Sequence, residues 1–388
     1  MRRWFWIAAL LVFATVAFKP LLFRAGEALL VIEDVAAGPG ASRLKAWRAA
    51  PVREAITYRL SGKTNTSDVY RPGGGEQARA IVVLVPGIVR LGNDDPRIVA
   101  FAETMARSRF LVFVPDLQSL RDLSIRSEDV GELSALTWHI ASKETAGAEK
   151  SVGIVAFSYA AGPAILAAMD PQTRRLVRFV YTVGTYYDIV SLGTYLTTGY
   201  FREGPDRRWQ TQTPSSYATW VFVHSSAAWL KDPTDRRILR AMSEAKLADP
   251  DVDVRGFAVQ LGPEGQAVYR LLLNRDPEKA ARLISELPAS LLAEFQRLDL
   301  RLRNMADLKA TLILVHGRDD TLIPYSESVR LAAAADADRT HLFIIGSLAH
   351  VELGASGTLD LWTLARASYL LLSERDAMPP PVAHRLSG

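Results

Sequence analysis

The residue best placed for chemistry is Ser158, which stands where an apolar run, Val152 to Phe157, meets a small-residue segment, Ser158 to Met169, that Asp170-Pro171 terminates. A buried strand entering a helix this abruptly holds the serine in strained backbone angles, so the residues two before and two after it must be small. Here both are alanine, Ala156 and Ala160. The carboxyl end of a strand and the positive end of a helix favour an oxyanion at that point. A plainer role, a hydroxyl capping the helix that begins at Tyr159, fits the same position.

A serine hydroxyl is a poor nucleophile near neutral pH and needs a base within hydrogen-bond reach, itself oriented by a carboxylate. Two later segments offer both. The run Thr311 to Val315 leads into His316-Gly317-Arg318-Asp319-Asp320 and on to Pro324, which puts acids on the loop leaving a buried strand. The run ending at Ile345 is followed by Gly346-Ser347-Leu348-Ala349-His350, a loop presenting one histidine. The chemistry these types allow is acyl transfer through a covalent intermediate.

The elements that must position these residues follow from the apolar pattern. From Glu54 the chain reads as a β-hairpin, Ala55 to Leu60 and Ser67 to Tyr70, ended by Arg71-Pro72-Gly73-Gly74-Gly75. Near-continuous apolar runs then recur at Ala80 to Val85, Phe110 to Val114, Val152 to Phe157, Val177 to Val183, Thr311 to Val315 and His341 to Ile345. Such runs mark strands buried on both faces, and the helical patterns between most of them predict an α/β fold, a mostly parallel sheet covered by helices on both faces. Residues 190–305 break this alternation and must carry structure of their own. Asp232-Pro233 and Asp276-Pro277 are helix starts there, so the segment reads as an inserted helical lid. The expected division is 1–24 as a membrane anchor or signal segment, 25–50 as a linker, 51–189 and 306–375 as the two parts of the core, and 376–388 as a tail.

With these segments in hand, the chain from about Glu54 to Leu372, the lid excluded, resembles the α/β-hydrolase superfamily. The order Ser, Asp, His along the chain is that of the family. The resemblance selects Asp320 over Asp319 as the acid, because the family places it three residues after the glycine of a His-Gly-x-x-Asp stretch and four before a proline. It selects His350 as the base. Val85-Pro86-Gly87-Ile88 resembles the family's loop after the third strand, with proline in place of histidine, and implies an oxyanion hole made by the backbone N–H groups of Ile88 and Tyr159. Asp188 is a rival acid, since the superfamily sometimes carries it after the fourth run. No cofactor is implied.

Other features exclude function classes or take simpler readings. Ser61-Gly62-Lys63-Thr64 lacks the first glycine of a phosphate loop and leads into a strand; Gly38-Pro39-Gly40 lacks the rest of a dinucleotide site; no metal-ligand spacing is present. The net charge of +4 is spread along the chain, which argues against a nucleic-acid partner, and the absence of cysteine removes thiolate chemistry and disulfides. His139, His224, His341 and His384 read as structural or solvated, His316 as a turn residue beside the acid loop, and Glu352 as a surface residue near His350. Trp209, Trp220 and Trp229 read as packing for the lid, with some available to an acyl pocket, and Tyr186-Tyr187 as its root.

At the amino end, Met1-Arg2-Arg3 precedes an uncharged run from Trp4 to Phe18, then Lys19-Pro20 and Leu21 to Phe23. The run alone would cover roughly 22 Å as a helix against a hydrocarbon core of about 30 Å, so a span would include Leu21 to Phe23 with Lys19 snorkelling. The reading is an exported or membrane-anchored serine hydrolase acting on a small-molecule ester or lipid-like substrate. Thioesterase or peptidase activity uses the same parts, and the alternative from another class is a membrane-tethered binding protein of the same fold with a silent site.

Overall fold

The computed structural model describes residues 21–60, 62–145, 151–346, 348–349, 352–353 and 358–381. Helix α1 is described over 21–37 and is followed by α2 (Arg43–Trp47), β1 (Val52–Leu60), β2 (Lys63–Arg71), β3 (Ala80–Val85), α3 (Pro96–Arg107), β4 (Phe110–Pro115), α4 (Gln118–Arg121), α5 (Glu128–Glu144), β5 (Val152–Phe157), α6 (Ala161–Met169) and β6 (Val177–Val183). An insertion then carries α7 (Ile189–Thr198), a two-residue pair β7 (Tyr200–Phe201) and β8 (Gln210–Thr211), α8 (Ser216–Ala227), α9 (Pro233–Ala248), α10 (Arg255–Ala258), α11 (Pro263–Leu273), α12 (Pro277–Ser285) and α13 (Ala289–Leu298). The chain returns through β9 (Thr311–Gly317), α14 (Ser326–Ala334), β10 (Thr340–Ile345), a small hairpin β11 (Leu348–Ala349) and β12 (Glu352–Leu353), and α15 (Thr358–Asp376).

Eight strands form one sheet in the order β1-β2-β4-β3-β5-β6-β9-β10. The β1–β2 hairpin joins β4 antiparallel, and every pairing from β4 to β10 is parallel. Val83, Ile154, Val180, Leu312 and Thr340 stand in one row across the five strands from β3 to β10. The loops that leave these strands at their carboxyl ends are therefore gathered along one edge of the sheet, where open α/β sheets bind ligands.

Each apolar run but that of the edge strand β10, where Leu342 and Ile344 are half-buried, has two buried faces. On one, Val83, Val85, Ile154, Ala156 and Leu312 pack with α5, α6 and α14; on the other, Val82, Leu84, Val155, Phe179 and Ile313 pack with α1, α3 and α15. Full burial of each such side chain contributes on the order of 1.5–3 kcal/mol relative to exposure, so the alternating runs supply most of the drive to form the sheet. The insertion has its own core, which includes Tyr195, Trp220, Leu239, Leu271 and Leu291. Its helices start where cap and proline coincide: Asp232 accepts from the Thr234 and Asp235 N–H groups, and Asp276 from that of Glu278.

Residues 25–50 are not a spacer. Ala28, Val31 and Ile32, at helical spacing, are buried with Leu44 in the core beneath α3 and α15. The ends of the segment are fixed by charge: Arg375 of α15 meets Glu27 through both terminal nitrogens at 2.7 and 2.9 Å. Asp34 accepts from Thr104 of α3 at 2.6 Å and faces Lys45 at 2.9 Å. Packing also extends into the expected tail, because Met378 is buried and Asp376 meets Arg24 and Arg79. The expected anchor falls largely on residues 1–20, outside the described residues. Among those described, no helix is long and apolar enough to cross a membrane.

Candidate active site

Ser158 follows directly on β5, opens a single 3₁₀ turn, Ser158–Ala160, and leads into α6. Its φ is +56°, a left-handed conformation that costs a non-glycine residue on the order of 1–2 kcal/mol. The strain is held by packing: Ala156 and Ala160 are buried, and a Cβ on Gly87 would lie 3.2 Å from the serine Cβ. The loop after β3 thus passes close over the serine, and a side chain at Gly87 would crowd it. Gly162 has a similar office one turn on, since a Cβ there would lie 2.1 Å from the Tyr186 hydroxyl.

The Ser158 hydroxyl and the Tyr159 and Ile88 N–H groups make no hydrogen bond to any described residue. All three residues line one cavity of about 920 Å³. Tyr217 of α8 reaches across to this loop, its hydroxyl donating to the Ile88 carbonyl at 3.2 Å. Burial raises the Tyr217 phenol above its ordinary range. The Tyr159 side chain points elsewhere, accepting from the Arg126 N–H at 3.1 Å, and burial holds its phenol far above the usual value.

Asp320 is fully buried just past β9. Its Oδ1 accepts from the Leu322 and Ile323 N–H groups at 2.8 and 3.1 Å, and Leu322 and Ile323 themselves line the cavity that holds Ser158. Its Oδ2 lies 3.3 Å from His316 Nε2. Ser158 and Asp320 leave strands separated only by β6, two sheet spacings or about 10 Å, a gap that one imidazole between them can span. The insertion grips the acid loop, with the Tyr195 hydroxyl and the Ser215 N–H both donating to the Thr321 carbonyl at 3.1 and 2.8 Å.

His350 lies outside the described residues. The pairs on either side of it, Ala349 with Glu352 and Leu348 with Leu353, form the hairpin that follows β10, and β11 lies against β9, the strand that carries Asp320. His316 is fully buried and committed at both nitrogens: Nε2 donates to the Ile323 carbonyl at 2.9 Å, and Nδ1 shares a hydrogen bond with the Ser328 hydroxyl at 2.6 Å. Its task is to pin the acid loop. His139 stacks on Tyr58 and His224 meets Ser243; neither lines the cavity.

Asp188 caps α7 and pairs with Arg330 at 2.6 Å and Arg301 at 3.4 Å, which commits it to structure. The three lid tryptophans do not reach the cavity: Trp220 is in the lid core, Trp229 reaches the Ile125 carbonyl, and Trp209 binds Glu278. The lid side of the wall is instead Leu192, Leu196, Ala218, Val221 and Phe222 with Tyr217. Opposite them stand Val35, Ala36 and Pro39 from the amino-terminal segment, a contribution with no counterpart in the sequence reading. No group of three or more His, Asp and Glu residues able to hold a metal ion occurs among the described residues.

No protein-family model matches the chain, and no curated protein matches it. Among solved structures, 2,6-dihydroxy-pseudo-oxynicotine hydrolase is similar at 14% identity and a TM-score of 0.48, over 85% of this chain and 71% of that one. Est1E from Butyrivibrio proteoclasticus gives 12% and 0.43 over 84% and 99%. A mutant of the meta-cleavage product hydrolase from Pseudomonas fluorescens IP01, complexed with acetates, gives 16% and 0.39 over 83% and 97%. The strand order and directions, with a left-handed serine at the turn from β5 into α6, make this an α/β-hydrolase fold.

Proposed function

We propose that the protein is a serine hydrolase that cleaves a carboxylic ester through an acyl-enzyme. His350 takes the proton of Ser158, Asp320 orients and stabilises the resulting imidazolium, and the serine oxygen attacks the ester carbonyl. The Ile88 and Tyr159 N–H groups hold the oxyanion; the alcohol leaves with the proton from His350, and water repeats the cycle to release the acid. The observation that carries this reading is the left-handed backbone of Ser158 on the wall of a largely apolar cavity. A serine needed only as a helix cap has no reason to bear that strain, and it caps nothing here: its side chain makes no cap hydrogen bond. The reading includes a membrane tether through residues 1–24 with the body exported.

The test is covalent labelling of the folded protein by a fluorophosphonate, with the adduct mapped by mass spectrometry. One adduct on Ser158, and loss of both adduct and ester turnover in Ser158→Ala, is the expected result. Folded protein that takes no label and turns over no ester would establish the silent binding protein instead.

A further inference from the structure

The cavity beside Ser158 is apolar on two sides and charged at one place. One side draws on Val35, Pro39, Phe101 and Phe157, from the core face that holds α1 and α3; the other draws on Leu196 and Phe222 of the lid. Charged residues enter the lining at Asp95, Arg97 and Arg90. The first two neutralise each other, for the Arg97 guanidinium grips the Asp95 carboxylate through a fork, Nε to Oδ1 at 3.0 Å and Nη2 to Oδ2 at 2.9 Å. Asp95 also caps α3 with the same carboxylate.

Arg90 is different. It is exposed, lines the cavity, and makes no ion pair or hydrogen bond with any described residue. Its charge reaches Tyr217 and His224, and neither offers it a negative charge at neutral pH. It stands two residues after Ile88, in the loop that passes over Ser158. Two residues span on the order of 7 Å, so the guanidinium can meet a group several bonds from the carbonyl that the oxyanion donors hold. A guanidinium is a forked donor suited to an oxyanion, and with the Arg97 charge met by Asp95, the single charge of Arg90 matches a monoanionic carboxylate better than a dianionic phosphate.

We propose that this cavity takes an anionic amphiphile: an ester whose apolar body lies against Val35, Pro39 and Phe101 and whose free carboxylate is held by Arg90. The assignment of an ester rests on the hydrolase reading above; the anion site does not. It also gives the amino-terminal segment a place in substrate selection, as one wall of the chamber.

Two substrates of matched length decide it: the mono-para-nitrophenyl ester of suberic acid, which ends in a carboxylate, and para-nitrophenyl octanoate, which ends in a methyl group. At low salt the wild type should favour the hemi-ester in kcat/KM. Arg90→Gln should lower the ratio of the two about fivefold, chiefly through KM; Arg90→Lys should restore part of it, and Arg90→Glu should lower it further. A wild-type ratio at or below one, or a ratio unmoved by Arg90→Gln and Arg90→Glu, overturns the proposal. Calorimetric binding of monomethyl suberate and methyl octanoate to Ser158→Ala separates the two readings. If no ester is turned over but monomethyl suberate binds more tightly and loses its advantage on adding Arg90→Gln, the hydrolase reading has failed and the anion site stands. Equal binding of the two ligands overturns the anion site, whatever the turnover.

Discussion

Two carboxylates stand just past the carboxyl ends of adjacent strands, Asp188 after β6 and Asp320 after β9, and their surroundings differ in kind. Asp188 gives Oδ1 to the N–H groups of Val190 and Ser191 at the start of α7, and Oδ2 to the guanidinium groups of Arg330 and Arg301. Charge continues around it. Glu327, fully buried, accepts from the Tyr187 and Asp188 N–H groups and faces Arg330; burial raises its carboxyl above the ordinary value and Arg330 pulls it back. The described partners of Asp320 are instead two loop amides and the imidazole of His316. A carboxylate saturated by guanidinium groups cannot orient an imidazole without giving up an ion pair. One fixed by amides keeps its charge for a base, and that difference supports the proposed choice of Asp320 as the acid.

Substitution at the two positions should separate them. Asp320→Asn keeps the acceptor for the loop amides and removes the charge, so kcat for an ester should fall roughly 10⁴-fold, as loss of the orienting carboxylate does in such triads. Its midpoint of unfolding in urea should move little. Asp188→Ala should do the reverse. It leaves Arg330 with Glu327 as its one remaining carboxylate and removes the α7 cap, at a cost of about 2 kcal/mol in stability. The kcat of the protein that remains folded should stay within about threefold of wild type. If Asp188→Ala abolishes turnover while unfolding normally, the two roles are exchanged and the comparison is broken.

How much of this was legible in the sequence varies with the distance over which a residue acts. Ser158 could be read locally, because strand, small residues and helix all lie within a dozen positions, and the parallel sheet followed from apolar runs whose two faces are both buried. The helix starts at Asp232 and Asp276 are equally local. The strap formed by residues 25–50 was not legible: Ala28, Val31 and Ile32 carry a helical pattern, but their partner, α15, comes more than 300 residues later. The same holds for Tyr217 on the Ile88 carbonyl and for Gly162 under Tyr186, whose necessity shows only when the two segments meet. The lid tryptophans drew attention by size, yet the smaller Leu192, Ala218 and Val221 reach the cavity. Bulk predicts burial and not which cavity a side chain faces.

The smallest effect probes the charged side of the comparison through Asp299, which burial, and after it the charge of Asp188, raises to about 6. A carboxyl raised above its unfolded value near 3.8 takes up a proton on folding. Its contribution is therefore full below about pH 3.8, falls as pH rises toward 6, and is constant above that. Asp299→Asn cannot ionise, so its stability relative to wild type should climb through this window and then level off. The climb should reach only about 1 kcal/mol, because the Arg301 N–H and guanidinium still favour the charged carboxylate. Urea midpoints at pH 4, 5, 6 and 7 measure it. Repeated in an Asp188→Asn background, the climb should shrink and end at lower pH, since the larger of the two neighbouring charges that raise it, Asp188 and Glu327, is gone; in an Asp320→Asn background it should be unchanged. A difference between Asp299→Asn and wild type that is the same at every pH would mean that Asp299 ionises as an ordinary carboxylate, and that the charge of Asp188 is spent wholly on its arginines.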